Sequence, residues 1–245
     1  LIVEKGEITK SFNWFIHPYL KKRKIINSQS DCIKQTEKLL MKAVQKQLIS
    51  DVPLGSFLSG GLDSSSIVAF AKELIPDIKC FTIKTKESFK DDGFVDDYNF
   101  ACKAANYLKV PLETVEINTN TLVDNLEKMV FQLDEPIADP ASINVLFISR
   151  LAKESGIKVL LSGAGGDDLF SGYRRHKALG SEFYWTFLPM RIKNLLKQFS
   201  TNLKTKNIFE RRIKRVLSGA NLNRDERIIN YFRWNSQNDS FNIYS

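Results

Sequence analysis

The stretch that decides the fold is a short apolar run followed by a glycine-rich turn, Ser56-Phe57-Leu58-Ser59-Gly60-Gly61-Leu62-Asp63-Ser64-Ser65. The apolar residues predict a short buried strand, and residues 64–74 predict a helix that stops at Pro76. Paired glycines let the backbone turn sharply and approach a ligand closely. The unpaired N–H groups and the dipole at the start of the helix then favour a phosphate.

The polar residues of this turn extend the prediction to a cation. Ser59, Ser64 and Ser65 bring hydroxyl groups, whereas the carboxylate of Asp63 repels a polyphosphate unless a cation lies between them. Mg²⁺ often joins a carboxylate to phosphate oxygens, which makes Asp63 a candidate Mg²⁺ ligand. The turn is not a Walker loop, because the required Gly-Lys-Ser/Thr is absent. A ligand-free turn, with Ser or Asp capping the helix, is the alternative.

Strands and helices alternate through the rest of residues 31–162. Short runs of apolar and β-branched residues predict further strands at 79–85, 112–117 and 158–162. Helical spacing of apolar residues predicts helices at 31–49, 96–108, 121–133 and 142–154, the first capped by Ser30 or Asp31 and the third by Thr121 with Asp124. This order predicts an α/β fold with a mostly parallel sheet flanked by helices. Such sheets bind ligands at the carboxyl ends of their strands.

A second glycine-rich turn follows the last of these strands, Ser162-Gly163-Ala164-Gly165-Gly166-Asp167-Asp168. It brings glycine flexibility and a pair of carboxylates to the edge of the sheet where the first turn lies. Asp63 and Asp167 are therefore predicted to hold one Mg²⁺ from two loops, with a pyrophosphate between them. A simple turn with exposed acids is the alternative reading.

Composition excludes several classes of protein. The chain has 245 residues, 43% hydrophobic and 26% charged, which are values of a folded globular protein. No apolar run reaches the length of a membrane span, and no signal peptide is visible, so we expect a cytoplasmic protein without a membrane partner. Three scattered cysteines do not suit a disulfide scaffold or a zinc site.

Positive charge is concentrated at the carboxyl end of the chain. The net charge is +8, but residues 171–245 hold 15 basic and only 5 acidic side chains. The stretch Arg211, Arg212, Lys214 and Arg215 suits nucleic acid, a membrane or a phosphorylated substrate, or is a solvated helix face. Nucleic acid is the less expected partner, because no nucleic-acid-binding motif accompanies the charge. Arg174 and Arg175, just beyond the second turn, either reach an anionic substrate or are surface charges.

Four motifs resemble the asparagine synthetase family. They are the segment Ser50 to Ser65, the start of a helix at Asp96-Asp97, the segment Leu133 to Ser142 that contains Asp134-Glu135-Pro136, and the segment Leu161 to Tyr173. Motifs in this order are far more specific than a single loop. The resemblance covers residues 45–180 well and the flanking residues loosely.

The resemblance implies an adenine nucleotide alpha hydrolase-like fold and an ATP pyrophosphatase (PP-loop) synthetase domain. Members activate a carboxylate with ATP and Mg²⁺ as an acyl-adenylate, releasing pyrophosphate, and ammonia then displaces AMP. By motif position, the residues that would cradle pyrophosphate are Ser59, Gly60, Gly61, Asp63, Ser64 and Ser65. Asp63 and Asp167 would hold Mg²⁺, while Leu58, Ile83 and Gly163, with Ser162 beside them, would bind the nucleotide.

The resemblance also implies a domain layout and partners. Residues 1–30 are expected to be a connector after a glutaminase domain that is missing here, residues 31–180 the synthetase domain, and residues 181–245 a basic, helical, truncated part of it. The acceptor would be aspartate or a sugar acid, ammonia would come from the glutaminase domain, and a homodimer stays an open expectation.

This chain departs from the family pattern at the acceptor side. Ala164 stands where asparagine synthetases typically carry Glu, and Lys84 where the second strand commonly ends in Gly. Ala164 puts aspartate in doubt and keeps amidation of a sugar carboxylate in surface polysaccharide synthesis as an alternative. Lys84 either faces solvent or reaches a substrate carboxylate or phosphate. A PP-loop enzyme acting on tRNA and a degenerate ATP-binding regulator are the remaining alternatives.

Overall fold

The computed structural model describes residues 1–16, 20, 26, 28–85, 97–135, 137, 139, 141–180, 182–203 and 207–233. Asp96 and the three residues Pro136, Ala138 and Pro140 of the Asp-Glu-Pro motif lie outside the described residues. Residues 17–19, 21–25 and 27 of the expected connector, and the end of the chain from residue 234, lie outside them as well.

A parallel sheet of four strands forms the centre of the described chain. A small hairpin, β1 (Ile2–Glu4) and β2 (Glu7–Lys10), precedes it. The parallel strands are β3 (Leu54–Phe57), β4 (Lys79–Thr85), β5 (Leu112–Ile117) and β6 (Val159–Leu161). Their order across the sheet is β5-β4-β3-β6. The predicted α/β class with a mostly parallel sheet is confirmed.

Helices connect and cover the strands. The helices around the sheet are α1 (Gln29–Gln47), α2 (Leu62–Lys72), α3 (Tyr98–Leu108), α4 (Thr119–Gln132) and α5 (Ala141–Glu154). After β6 the described chain is helical: α6 (Gly166–Phe170), α7 (Arg174–Gly180), α8 (Glu182–Phe187), α9 (Met190–Asn202), α10 (Ile208–Ser218) and α11 (Arg224–Phe232).

The core lies on both faces of the sheet, because alternate residues of a strand point to opposite sides. Cys80 joins Val68 and Ala101 of α2 and α3 on one face. Phe81, the next residue of β4, joins Ile148 of α5 on the other. Burial is complete enough to raise the pKa of the Cys80 thiol to about 12. The result is a three-layer arrangement that fixes the strand ends.

Two expected helix caps are wrong. Ser28, and not Ser30 or Asp31, caps α1, since its hydroxyl accepts a hydrogen bond from the Asp31 N–H at 3.3 Å. An N-cap residue directly precedes the first helical residue, and its side chain accepts from an N–H two or three residues further on. Ser28 has that position, because α1 begins at Gln29. Asn118 caps α4 in the same way, through the N–H of Thr121 at 2.8 Å.

A buried ion pair joins two of the carboxyl-terminal helices. The guanidinium group of Arg227 in α11 donates to Glu182 of α8, with nitrogen–oxygen distances of 2.7–3.0 Å. The hydroxyl of Tyr231 donates to the same carboxylate at 2.8 Å. Burial opposes ionisation of Glu182, but these hydrogen bonds outweigh it and lower the pKa of the carboxyl group.

Within the described ranges, no helix combines the length and the apolar character that crossing a membrane requires.

Candidate nucleotide-binding site

The strand order places the site at the point where the chain reverses direction across the sheet. From β3 the chain moves outward to β4 and β5, and then returns to add β6 on the other side of β3. Loops that leave the carboxyl ends of β3 and β6 therefore diverge and leave a crevice between them. These are the two glycine-rich turns. Their proximity follows from the pairing of Ser56 with Leu161 in parallel register.

Gly60 and Gly61 bring the first turn into the start of α2. Gly60 has a φ of +78°, and its Cα packs against the Phe100–Ala101 backbone of α3, where a Cβ would overlap. A side chain is excluded there on both grounds. Gly61 is the N-cap of α2 and makes no side-chain capping bond. The first N–H groups of α2 are therefore left without a side-chain cap and are suited to an anion.

The hydroxyl groups of Ser59 and Ser64 form hydrogen bonds within this turn. The hydroxyl of Ser64 accepts from the Ser59 N–H at 3.2 Å and donates to the Gly61 carbonyl at 3.3 Å. The two serine hydroxyl oxygens lie 3.0 Å apart, and the Ser59 hydroxyl accepts from the Gly61 N–H at 3.3 Å. These bonds fix the shape of the turn. Because the N–H groups of Ser59 and Gly61 donate within the turn, the first N–H groups of α2 are more accessible to a ligand than they are.

The second turn packs directly on the first turn of α2. A Cβ at Gly163 would lie 2.7 Å from the Ser64 nitrogen and 2.9 Å from the Asp63 carbonyl carbon. Only glycine leaves room for the two backbones to approach in this way. The two loops thus share one wall of the crevice.

Each of the two predicted metal ligands lies directly against the backbone of a glycine. The carboxylate of Asp63 lies against the backbone of Gly166, and the carboxylate of Asp167 lies against Gly172, so closely that a Cβ at either glycine would overlap it. Gly166 and Asp167 are adjacent residues at the start of α6. The structure therefore brings Asp63 and Asp167 to one cleft, and their role as Mg²⁺ ligands stays a prediction. Gly166 and Gly172 lie on either side of Asp167 in the sequence, and their contacts with the two aspartates were not predicted. The spacing of these glycines is the sequence signal that could have indicated them.

A cleft of about 490 Å³ lies between the loops. Seven of the predicted residues line it: Ser59, Gly61, Asp63, Ser64, Ser162, Gly163 and Asp167. The lining also includes Phe57, Leu62, Ala164, Phe170 and Gly172, which were not predicted as ligand contacts. Clefts of this volume accept molecules of nucleotide size.

Four predicted residues are not among the cleft's lining residues. Gly60 shapes the turn, and the Ser65 hydroxyl is buried without a hydrogen-bond partner among the described residues. The side chain of Leu58 belongs to the core, at 1% exposure, and its N–H donates to Phe81 at 2.9 Å. Ile83 is half-buried and packs against the α4–α5 side of the sheet. A nucleotide contact from Leu58 would have to come from its backbone.

Lys84 is engaged at the end of β4. Its ammonium group lies 2.8 Å from a carboxylate oxygen of Glu116 on β5 and 5.3 Å from the ring centroid of Tyr98. It is not among the residues that line the cleft. Of the two readings of Lys84, the structure favours a partly exposed charge paired with Glu116.

The donor set suits Mg²⁺. Asp63 and Asp167 offer carboxylate oxygens to one cleft, and the described residues contain no group of three or more acidic, histidine or cysteine side chains that would form a closed metal cage. Mg²⁺ is typically held by one or two carboxylates, with phosphate oxygens and water completing its shell. The residues present therefore fit a magnesium ion that arrives with a phosphorylated ligand.

Glycine loops after neighbouring parallel strands, beside a helix N-terminus without a side-chain cap, agree with the adenine nucleotide alpha hydrolase-like, PP-loop fold that the resemblance implies. The family model for asparagine synthase matches residues 35–240. The chain belongs to the asparagine synthase family.

Individual proteins are similar over most of the same region. Asparagine synthetase [glutamine-hydrolyzing] 1 of Bacillus subtilis is 35% identical over 164 residues, which are 67% of this chain and 25% of that protein. Amidase chyE of Penicillium rubens is 29% identical over 165 residues, 62% of this chain and 24% of that protein. The matched region thus spans about a quarter of these relatives' length.

Solved structures are more distant. An NH3-dependent NAD synthetase from Campylobacter jejuni aligns over 83% of this chain and 97% of its own, with 10% identity and a TM-score of 0.38. A TM-score of this size carries no argument, so the fold class rests on the strand order and the family match.

Proposed function

We propose that this chain is the ATP-using part of a carbon–nitrogen ligase, which activates a carboxylate as an acyl-adenylate for amidation by ammonia. The observation that carries the proposal is that residues of both glycine loops, Asp63 and Asp167 among them, line one and the same cleft. The family match supports ATP-dependent amide formation. It leaves the acceptor open, since matched relatives carry both synthetase and amidase names.

The chain's own residues would bind and orient the phosphates. The first N–H groups of α2, left uncapped by Gly61, would donate to the departing pyrophosphate. They are fixed in place before the reaction by the hydrogen bonds between Ser59 and Ser64, so they stabilise the developing charge without having to reorganise. When bound, Mg²⁺ neutralises phosphate charge in the leaving group, and Asp63 and Asp167 are the residues that would hold it.

The acceptor side of the cleft is less acidic than the family pattern leads one to expect. Ala164 lines the cleft and brings no charge to it. Aspartate carries an ammonium group that a carboxylate at this position would bind, whereas a sugar acid carries none. Ala164 therefore favours an acceptor without an ammonium group, and amidation of a sugar carboxylate is the second candidate. Ammonia supplied by a glutaminase domain, as in the glutamine-hydrolysing relatives by name, belongs to the same proposal.

Nucleotide product analysis tests the proposed reaction. The complete natural protein is incubated with Mg²⁺, ATP and ammonium chloride, and with aspartate, a free uronic acid or no acceptor. AMP and pyrophosphate are expected, in amounts that depend on the acceptor. ADP as the product would contradict adenylate formation, and AMP formation with aspartate alone would remove the sugar-acid candidate.

A pair of neighbouring aspartates provides a matched control. Asp63→Asn and Asp167→Asn are expected to abolish AMP formation without unfolding the protein. Asp168→Asn removes the same charge from an exposed residue of α6 that does not line the cleft, and is expected to retain activity. AMP formation at the wild-type rate by Asp63→Asn would refute the metal-ligand assignment.

A further inference from the structure

A second cavity, separate in its lining from the nucleotide cleft, is bounded largely by arginines. It has a volume of about 390 Å³, and five of its seven lining residues are Arg175, Arg211, Arg212, Arg215 and Arg233. The other two are Tyr231 and Phe232. These residues come from α7, from α10 and from the end of α11. We call this cavity the arginine pocket.

The described lining of the arginine pocket is positively charged. None of its described lining residues is acidic. Among the described residues, no carboxylate forms a salt bridge with Arg175, Arg211, Arg212 or Arg215. Burial, and then the charge of Arg233, lower the pKa of the Arg215 guanidinium group. Among the described residues, these four guanidinium groups therefore lie near one another with no carboxylate paired to them.

Sequence spacing on α10 adds to this repulsion. Arg211 and Arg215 are four residues apart in one helix and therefore lie on the same face. Like charges in this arrangement destabilise a helix, whereas a carboxylate at either position would stabilise it. A solvated helix face gains nothing from such an arrangement, but a site for an anion does.

Arg175 is held in place by aromatic rings. Its guanidinium carbon lies 4.0 Å from the ring centroid of Tyr173 and 4.9 Å from that of Phe232. The Nε atom of Arg175 and the Nδ1 atom of the neighbouring His176 are buried without a hydrogen-bond partner among the described residues. Such unpaired buried groups are uncommon and indicate a missing partner. The planar guanidinium group is thus fixed before any ligand binds.

We propose that the arginine pocket binds a small, multiply charged phosphate group such as a diphosphate. Guanidinium groups bind phosphate oxygens in pairs, and several of them converge here on one concave volume. The arginines come from three helices and meet at one small, open cavity, which suits a compact ligand with several charges, and no nucleic-acid-binding motif accompanies them.

The position of the pocket leaves two sources for this phosphate. Gly172 lines the nucleotide cleft and Arg175 lines the arginine pocket. The two residues are three apart in sequence, so their Cα atoms are at most about 11 Å from one another. The phosphate can therefore belong to the acceptor itself, anchored beside the cleft, or to a separate molecule.

Titration with pyrophosphate in EDTA tests the proposal. Without a divalent cation, Asp63 and Asp167 disfavour an anion in the nucleotide cleft, which isolates binding at the arginine pocket. The complete protein is compared with the double variant Arg211→Gln/Arg215→Gln and with Arg191→Gln, which removes one charge from an exposed position of α9. We expect at least a ten-fold loss of affinity in the double variant and no change in Arg191→Gln.

The thermal midpoint separates binding from folding. Because the double variant removes a like-charge pair, its midpoint without ligand should equal or exceed that of the wild type, although its affinity is lost. Equal pyrophosphate affinity in the wild type and the double variant would overturn the proposal. The proposal would also be overturned if the wild type did not bind pyrophosphate at millimolar concentration but bound single-stranded RNA through Arg211 and Arg215.

A second arm identifies the source, and this arm alone rests on the proposed function. AMP formation is measured with a free uronic acid and with the same acid linked to a nucleoside diphosphate. A lower KM for the linked acid, lost in the double variant, supports a phosphate carried by the acceptor. Equal KM values, together with pyrophosphate binding in the first arm, support a separate phosphate ligand in the same pocket. Failure of AMP formation itself leaves the titration result unaffected.

Discussion

Replacing Gly163 with alanine tests the contact on which the whole site depends. The added Cβ would lie 2.7 Å from the Ser64 nitrogen and 2.9 Å from the Asp63 carbonyl carbon. Ordinary contacts between such atoms begin at about 3.5 Å, so the second loop and the start of α2 must separate by roughly 0.8 Å. Both atoms belong to the backbone, and no side-chain rotation relieves the overlap.

The magnitude follows from this displacement. Forcing extra volume into a packed contact destabilises by about 1–3 kcal/mol. For a protein of this size, that corresponds to a fall of about 2–12 °C in the thermal midpoint. A shift of nearly 1 Å in the donors and carboxylates also predicts a loss of up to about 100-fold in turnover.

Differential scanning fluorimetry measures the thermal midpoint, and the rate of AMP formation together with Mg²⁺-ATP titration measures the effect on the site. Two further glycines serve for comparison. A Cβ at Gly180 meets nothing within 4 Å, so Gly180→Ala should leave the midpoint and ATP affinity unchanged or slightly raise the midpoint. The three atoms nearest to a Cβ at Gly166 all belong to the Asp63 carboxylate, which can rotate away, so Gly166→Ala should lower ATP affinity with a smaller change in midpoint. If Gly163→Ala matches the wild type in both measurements, the close approach of the two loops is wrong.

Three further outcomes are expected. Gly60→Ala places a side chain at a φ of +78° and against the α3 backbone, so it should lower the free energy of unfolding in urea more than Gly163→Ala does. Equal stability of the two variants would contradict the packing of Gly60 on α3. Glu182→Gln should destabilise by about 3–5 kcal/mol by leaving the Arg227 charge buried and uncompensated. The pKa of the Glu182 carboxyl group is lowered on folding, so the stability that it contributes is complete above the pKa of the unfolded state. This stability is lost as the pH falls through the pKa of the folded state. At pH values below about 4.5, the thermal midpoint of the wild type should therefore decrease more steeply than that of Glu182→Gln. Since burial raises the pKa of Cys80 to about 12, a thiol reagent at pH 8 should modify exposed Cys32 rapidly and Cys80 only on unfolding, and equal rates in native protein would contradict that burial.

The sequence determined the kinds of element and their order. The apolar runs at β4 and β5 predicted those strands with the observed bounds, because short β-rich segments between turns leave few alternatives. It also determined the chemistry of the loops, since the glycines and aspartates that form the cleft are consecutive within each motif. The helix caps at Ser28 and Asn118 were missed, because several nearby polar residues compete for a cap and backbone direction selects among them.

Tertiary structure alone decided which residues meet. The crossing of the chain from β5 back to β6 put Gly163 against Ser64, about 100 residues earlier in sequence, and no local pattern encodes that return. The same holds for Arg175, which lies with α10 and α11 only because three separate helices pack together. Local residues specify strands, turns and charge through short-range sterics and hydrogen bonding. The pairing of distant loops depends instead on how the whole chain buries its apolar surface on the two faces of the sheet.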